Sequence, residues 1–437
     1  MSDATPTLDK PRRGGLWHHL DFRRLWIGET VSQFGTQVSQ LALPLVAILI
    51  LHASTFEVGL LVTFESLAFL VVGLPAGAWI DRMRFRHVLI VNDILRAVAM
   101  GSIPAAAAMH ALTIGQLYVV ALVVGVCTVF FDVAYQSYLP ELVDRKLLVE
   151  GNAKLQASES VAQVAGPTIG GVLIQALTAP YAVLIDAISF LWSAAWVGAI
   201  QAKVPKPPRK ADRNLRREIG EGLRFVLGNR LLRSIAMCTG SSNMFSTASF
   251  AVFYVLLARD LHLSAGVIGL IMSTAAIGGI FGSLVASRTA ARLGQGPAIW
   301  MSALVAGPPM LVAPFVQRDW TLALLAVSMI VMWAAVVVYN ITQVSFRQGL
   351  CPPALLGRMN ATMRFLVWGT MPLGGVLGGF LGSWLGVRPA LLVAAIGGCL
   401  AFVPVLLSPL RTMRELPSYE ELEAVPNVEK VGPLGES

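Results

Sequence analysis

Charged residues are scarce in this sequence. Asp, Glu, Lys and Arg make up 13% of the 437 residues, whereas 55% are hydrophobic. A soluble chain of this length would need far more polar side chains to cover its surface. The shortage therefore excludes a soluble enzyme. It predicts an integral membrane protein, because apolar runs of about 20 residues recur along the chain and each is long enough to cross a bilayer.

Sites for other chemistry are lacking as well. The four cysteines show no spacing typical of a metal site or a disulfide framework, and we interpret them as small apolar residues. The chain contains neither a Gly-rich loop ending in Gly-Lys-Ser/Thr nor a His-Glu-x-x-His motif. We therefore expect no cofactor, no metal and no enzymatic activity, and ATP-driven pumping and intramembrane proteolysis are disfavoured.

Twelve apolar runs predict an all-α membrane protein with twelve transmembrane helices in two pseudo-symmetric six-helix bundles. The runs cover 24–51, 57–80, 87–109, 114–139, 152–178, 180–200, 232–258, 264–288, 296–316, 319–346, 359–386 and 388–409. A basic, proline-containing stretch separates the first six from the last six. The predicted organisation is an N-terminal segment (1–23), an N-terminal bundle (24–200), a linker (201–231), a C-terminal bundle (232–409) and a tail (410–437).

Lys and Arg are sorted to one side of the predicted membrane. Nearly all of them lie in the N-terminal segment, in the loops after the even-numbered runs and in the tail. Because basic short loops stay in the cytoplasm, both termini and the linker are predicted to be cytoplasmic, in a multi-pass protein of the cell membrane. This topology accounts for the net charge of +8 without a nucleic-acid partner.

The two halves of the sequence repeat. A shift of 208 residues aligns asparagines and glycines of the fifth and eleventh runs without a gap. The aligned pairs include Asn152 with Asn360, Gly166 with Gly374, Gly170 with Gly378 and Gly171 with Gly379. Parallel repetition of six-span halves is typical of transporters that rock about a central site.

The loop after the second run contains a glycine, an Asp-Arg pair four residues later and a basic cluster. Its members are Gly77, Asp81, Arg82 and Arg86. This pattern resembles the signature of the major facilitator superfamily in the same loop. A carboxylate there can hold the inner ends of two bundles together, so we expect Asp81 to act in gating. The alternative is a basic loop that only fixes topology.

The fifth run contains Gly166-Pro167-Thr168-Ile169-Gly170-Gly171, which resembles the antiporter motif of the same superfamily. Glycines let a neighbouring helix approach closely, and Pro167 removes one backbone hydrogen bond and permits a bend. Plain helix packing is the alternative role.

Further similarity covers nearly the whole chain. It includes the Leu-Pro-Glu-Leu-Val segment at 139–143 and the Gly-Asn-Ala segment at 151–153. Together with the two motifs, these segments resemble the exporter branch that contains macrolide efflux proteins and the enterobactin exporter. The resemblance implies a central cavity and proton-driven expulsion of drugs, siderophores or secondary metabolites.

Polar stripes predict a cavity independently of the resemblance. Polar residues recur with helical spacing on one face of the first run and at related positions of the seventh. They are Thr30, Gln33, Gln37 and Gln40, and Thr239, Ser242, Ser246 and Ser249. A polar face turned to lipid would be costly, so these residues line a cavity or join neighbouring helices by hydrogen bonds.

Six acids lie away from the ends of the apolar runs, all in the N-terminal half: Glu29, Glu65, Asp93, Asp132, Glu159 and Asp186. Intramembrane acids are functional candidates because a charge in hydrocarbon costs about 2.5 kcal/mol or more. Four lie near the cytoplasmic ends with Arg96, and we expect Glu29, Asp93, Arg96, Asp132 and Glu159 to form a charge network at the inner gate. Glu65 and Asp186 lie deeper, with no basic residue assigned to their depth.

These two acids suit reversible protonation, although a carboxyl hydrogen-bonded to a neighbouring helix is the alternative. We therefore expect a monomeric secondary transporter that exports a hydrophobic or amphipathic small molecule, with H⁺ as coupling ion and the lipid bilayer as its surroundings. An importer or a lysolipid flippase on the same scaffold is the alternative within transport. A membrane enzyme or a receptor is the alternative outside it.

Overall fold

A computed structural model describes residues 16–80, 83–143, 147–202, 215–352 and 355–414. These residues form helices and loops and contain no strand. The helices are α1 (Leu20–Leu45), α2 (Thr55–Val71), α3 (Gly73–Ile80), α4 (Phe85–Ala108), α5 (Ile114–Leu142), α6 (Leu148–Leu177), α7 (Ala179–Gly198), α8 (Leu215–Gly228), α9 (Arg230–Val255), α10 (Ala265–Leu293), α11 (Gln295–Ala306), α12 (Thr321–Leu350), α13 (Leu356–Trp368), α14 (Met371–Leu385), α15 (Val387–Leu400) and α16 (Val403–Leu406).

The described residues contain eleven helical segments that are long and apolar enough to cross a membrane. A twelfth span consists of α2 and α3 in succession, and the sequence prediction of twelve spans is thereby confirmed. Helix α8 lies within the predicted linker and carries a polar and an apolar face. We refer to α1–α7 as the N-terminal bundle and to α9–α16 as the C-terminal bundle.

Prolines explain why two of the spans are broken. A proline ring clashes with the carbonyl four residues earlier, so a helix tends to end there. Helix α2 ends at Val71, four residues before Pro75, and α13 ends at Trp368, four residues before Pro372. The sequence predicted both regions as continuous spans, and the structure corrects this.

The predicted repeat is visible in the backbone. Helix α1 and helix α9 have the same length and are related by a shift of 210 residues, and each continues into a five-residue π-helical turn, at Val46–Ile50 and Leu256–Asp260. His52 and His262, which follow these turns, both have positive φ angles of 51° and 48°. The two bundles are therefore pseudo-symmetric in detail as well as in the number of spans.

We call the end of the molecule that carries Ser54 and Ser264 the outer end, following the predicted topology, and the opposite end the inner end. Each of these serines caps the helix that follows it, and Ser54 forms a complete capping box with Glu57.

The hydrophobic cores differ between the two ends. At the outer end one core contains residues of both bundles, for example Leu45 and Val58 with Leu256 and Ile268. At the inner end the bundles have separate cores, one within each bundle. The two bundles are thus packed together mainly at the outer end. A substrate site is expected in the interior between them.

Candidate functional site

Helix α6 packs against α10 of the other bundle without intervening side chains. A Cβ atom built on Gly171 would lie 3.0 Å from the Cα of Gly266, so there is no room for a larger residue. One turn away, the Ser273 hydroxyl accepts a hydrogen bond from the Thr168 amide at 3.2 Å and lies 2.8 Å from the Thr168 hydroxyl. The predicted antiporter motif therefore forms part of the contact between the bundles.

Helix α2 packs against α14 in the same manner. A Cβ on Gly59 would lie 2.6 Å from the Cα of Gly379, and the Thr63 hydroxyl donates to the carbonyl oxygen of Pro372 at 3.2 Å. Arg259 adds a further link, because its guanidinium donates to the carbonyl oxygen of Ala53. Both contacts between the bundles belong to the outer halves of the helices involved.

The remaining glycines of the antiporter motif face their own bundle. A Cβ on Gly166 would lie 2.9 Å from the Cγ of Gln37, and a Cβ on Gly170 would lie 3.1 Å from the Cα of Val38. Both neighbours belong to α1. Close packing, which the sequence left as the alternative, is thus seen on both sides of α6, and a role in export remains a prediction.

Part of the predicted gating motif can be placed. Gly77 lies in α3, whereas Asp81 and Arg82 lie outside the described residues. Arg86 donates through Nε to the carbonyl oxygen of Val197 at 3.2 Å and through Nη2 to that of Gly198. It therefore satisfies carbonyl groups at the end of α7.

A buried ion pair forms the centre of the N-terminal bundle. Asp93 is fully buried and Arg96, one turn later on α4, is 5% exposed; their side chains are directly paired. The Arg96 guanidinium lies between two aromatic rings, 4.2 Å from the centroid of Phe131 and 4.3 Å from that of Phe190. Two cation–π contacts and one carboxylate thus hold a charge that would otherwise be costly to bury.

Three further acids surround this pair within electrostatic range. They are Glu29, Asp132 and Asp186. We call these three residues with Asp93 and Arg96 the charge cluster. Four carboxyl groups thus share one guanidinium in the interior of the bundle.

Several polar atoms of the charge cluster have no hydrogen-bond partner among the described residues. They include one carboxyl oxygen each of Glu29 and Asp93, and Nε of Arg96. Glu29 accepts from the Gln33 amide at 2.6 Å, and Asp186 accepts from the Ser189 hydroxyl at 3.1 Å. Buried carboxyl oxygens without a hydrogen-bond donor are suited to binding a proton or a water molecule.

One sequence expectation about this region needs correction, and another stays a prediction. Asp186 was expected to lack a basic residue at its depth, but Arg96 lies within electrostatic range of it. Glu159, assigned to the network, forms its hydrogen bonds along its own helix, with Gln156 and Gln163, each at 3.2 Å. It does interact electrostatically with Asp132.

Glu65 lies apart from the charge cluster. It is located in the middle of the second span, and its side chain is accessible, whereas the neighbouring residues Ser66 and Ala68 are buried. Tyr254 of α9, in the other bundle, lies within electrostatic range of it. Glu65 therefore faces the space between the bundles, and its expected role in proton coupling remains a prediction.

The polar stripe of α1 divides into packing and exposed positions. Gln33 binds Glu29, Gln37 packs against Gly166, and Gln40 is exposed. The hydrogen bond of Gln33 lies within α1 and does not join α1 to a neighbouring helix. A cavity-lining role remains a prediction for Gln33, Gln37 and Gln40.

The stripe of α9 divides in the same way. Thr239 is buried and its hydroxyl lies 2.6 Å from that of Tyr339, and Ser249 is buried as well. Ser242 is half-buried and Ser246 is exposed. Ser242 and Ser246 are therefore better placed than Ser249 to line an accessible space.

Sequence reasoning missed a basic pair, Arg347 and Arg364, in the C-terminal bundle. Arg347 directly follows the tenth predicted run and Arg364 falls within the eleventh, but neither was assigned a role. In the structure Arg347 lies in the last turn of α12 and Arg364 in the third turn of α13. The two guanidinium groups interact electrostatically. Counting residues from the helix ends, which places Arg364 about 12 Å inside the span, would have shown this.

Comparison with known proteins shows similarity to one protein family and to several transporters. The profile of the transmembrane secretion effector family matches residues 17–431. The chain is 25% identical to the multidrug efflux pump Tap of Mycolicibacterium fortuitum, over 84% of this chain and 90% of that protein. It is 23% identical to the enterobactin exporter EntS of Citrobacter koseri, over 91% and 94%.

Solved structures share the fold. A bacterial homologue of the iron transporter ferroportin, in an inward-facing state, superimposes with a TM-score of 0.72 at 15% identity, covering 88% of this chain and 98% of that one. The nucleoside transporter NupG superimposes with a TM-score of 0.69 at 13% identity, covering 88% and 98%. At this level of identity the likeness concerns the fold alone.

Proposed function

Because the chain belongs to the transmembrane secretion effector family of the major facilitator superfamily, we propose that it exports a hydrophobic or amphipathic small molecule in exchange for protons. It is a multi-pass membrane transporter and not an enzyme. The relatives named as a multidrug pump and an enterobactin exporter support export of drugs, siderophores or related metabolites.

The observation that carries the proposal is the packing of the two bundles. They share a hydrophobic core at the outer end and have separate cores at the inner end. Such an arrangement suits a carrier whose outer side is closed and whose bundles rock apart to open it. The glycine contacts at Gly59 and Gly171 allow the close approach that closure requires.

Proton coupling is assigned to Glu65 or Asp186. Glu65 is accessible between the bundles, so it can exchange a proton as access alternates. Asp186 is 1% exposed and communicates electrostatically with Arg96, so its protonation would change the balance of the charge cluster. Because Glu65 is accessible and Asp186 is buried, we assign contact with water to Glu65. Asp186 would then respond inside the N-terminal bundle.

The test uses proteoliposomes that contain the purified full-length protein. They are loaded with a radiolabelled macrolide, a catecholate siderophore or naphthoate, and efflux is measured with and without an imposed pH gradient. We expect gradient-driven efflux of at least one compound. Glu65→Gln or Asp186→Asn should abolish the driven flux while leaving gradient-free exchange intact.

Asp260→Asn serves as the matched control, because Asp260 is an exposed acid at the outer end. It should behave like the wild type. If none of the three compounds is moved, the proposal of export fails. If the double variant of Glu65 and Asp186 responds to the gradient like the wild type, the coupling assignment fails, and Glu29 is the next acid to test.

The proposal includes a location and an orientation. We place the protein in the cell membrane as a monomer with both termini and the linker in the cytoplasm, because basic residues are concentrated on that side. Reporter fusions after Ser437 and within 201–214 should be active only for reporters that work in the cytoplasm. A periplasmic signal from either fusion would reverse the orientation.

A further inference from the structure

The charges of the two bundles are opposite in sign. All the acids within the membrane interior lie in the N-terminal bundle, whereas residues 232–409 contain two acids, Asp260 and Asp319. Both of these lie at the outer end. The basic pair Arg347 and Arg364 therefore has no carboxylate of its own bundle at its depth.

Two like charges placed side by side repel each other, and the repulsion is stronger in a medium of low dielectric constant. Arg347 is half-buried, and its Nε has no hydrogen-bond partner among the described residues. Gln343, one turn earlier on the same face of α12, is buried with its carbonyl oxygen also unpartnered in the described part of the chain. Such groups gain most when a ligand supplies the missing partner.

Aromatic side chains lie beside the basic pair. The Arg364 guanidinium is 4.9 Å from the ring centroid of Trp368. Trp368 in turn meets Phe69 of the N-terminal bundle edge to face, with centroids 4.8 Å apart. Cationic and aromatic surfaces are thus presented together at a contact between the bundles.

The position of Arg364 argues against a lipid ligand. It interacts electrostatically with Asp132 of the N-terminal bundle, so its guanidinium is on the side that faces the other bundle. Arg347 interacts electrostatically with Tyr339 of the same helix, whose hydroxyl contacts Thr239 of α9. Arg364 is therefore directed toward the N-terminal bundle, and Arg347 lies near the interior of its own bundle.

We propose that Arg347 and Arg364 bind an anionic group of an aromatic, amphipathic substrate, with Trp368 providing the adjoining apolar surface. The proposal rests on the proposed function, because it specifies the substrate class of the same transporter. A carboxylate or a similar planar anion fits best, since a guanidinium binds it through two parallel hydrogen bonds.

The experiment compares two aromatic probes of nearly the same shape, the anion naphthoate and the neutral naphthamide. Binding to the purified full-length protein in detergent is measured by titration calorimetry. We expect the wild type to bind naphthoate at least about tenfold more tightly, because hydrogen bonds from a guanidinium to a carboxylate are stronger than those to a neutral amide. The preference should weaken as salt concentration rises, since charge interactions are screened.

Arg347→Gln and Arg364→Gln should each weaken naphthoate binding, and the double variant should bind the two probes equally. Unchanged naphthamide binding shows that the variants are folded. Arg292→Gln is the matched control, because Arg292 is exposed in the last turn of α10. Should a glutamine variant fail to fold, Arg347→Lys and Arg364→Lys keep the charge and should retain part of the preference.

The proposal is overturned if the wild type shows no preference for naphthoate or if the double variant keeps it. It is also overturned if Arg364→Gln slows transport without changing the preference, because Arg364 would then act only as a partner of Asp132. The same holds if phosphatidylglycerol displaces naphthoate, which would assign the site to a lipid headgroup. If the wild type prefers naphthoate over naphthamide but shows no gradient-driven efflux, only the proposal of proton coupling is contradicted.

Discussion

The hydroxyl of Thr168 lies 2.8 Å from the hydroxyl of Ser273, in the opposite bundle. This pair belongs to the closed outer end, and the proposed carrier must break it whenever it opens outward. We therefore expect cysteines introduced at both positions, in a variant whose four native cysteines are replaced, to form a disulfide on oxidation and to block transport. Reductant should restore transport. Unimpaired transport with a complete cross-link would show that the bundles do not separate here.

Gly171 should not tolerate a side chain. Because a Cβ would lie 3.0 Å from the Cα of Gly266, Gly171→Leu should force α6 and α10 apart at the outer end. We expect a lower thermal transition temperature in detergent and reduced transport. Gly115→Leu is the control, since a Cβ at Gly115 would meet no atom within 4 Å. Equal effects of the two substitutions would contradict the importance of close packing at Gly171.

The Asp93–Arg96 pair should be far more sensitive to the loss of one partner than to the loss of both. Asp93→Asn leaves a buried guanidinium without its carboxylate, which typically costs about 3–5 kcal/mol. The double variant with Arg96→Gln should lose less stability. Thermal unfolding and membrane abundance measure both effects.

Glu150→Gln provides the comparison, because Glu150 pairs with Lys154 at 3.3 Å in a partly exposed position. An exposed pair contributes about 0–1 kcal/mol. A double variant of Asp93 and Arg96 that is no more stable than Asp93→Asn would argue against a buried, uncompensated charge as the cause.

Arg86 should stabilise the end of α7. Its loss leaves the carbonyl groups of Val197 and Gly198 without a cationic donor, and we expect Arg86→Gln to lower stability by about 1 kcal/mol. Arg84→Gln, at the N-cap of α4 two residues earlier, is the control, because Arg84 is exposed and its side chain makes no capping hydrogen bond. Measured unfolding temperatures should separate the two variants. If Arg84→Gln destabilises the protein as much as Arg86→Gln does, the effect arises from the loss of a positive charge in this region and not from the hydrogen bonds of Arg86.

The fold could be predicted because spanning a bilayer leaves few possibilities. Apolar length fixes the number of spans, and the repeat fixes the two bundles. The breaks at Val72 and Gly369 were also encoded, by Pro75 and Pro372. They were missed because hydropathy responds to side-chain polarity and not to backbone hydrogen bonding.

The site was less accessible to sequence reasoning. Counted from the inner ends of their helices, Arg96 and Asp186 lie at nearly the same depth, about 17–18 Å. In the sequence Arg96 was counted from the inner end but Asp186 from the outer end, so their proximity was not recognised. Depth also leaves open which face of a helix meets which neighbour. The contacts of Arg96 with Phe131 and Phe190 depend on how α4 packs against α5 and α7, which no single helix encodes.

The link between Arg259 and Ala53 is chemically one-sided. The donor is a side chain, but the acceptor is a backbone carbonyl that every amino acid possesses. Any small residue that fits the buried surroundings of position 53 can therefore accept the hydrogen bond. At position 259 no other side chain offers the same guanidinium donor. In a library of variants the two partners of this one bond should show opposite tolerance, and covariation between them should be absent.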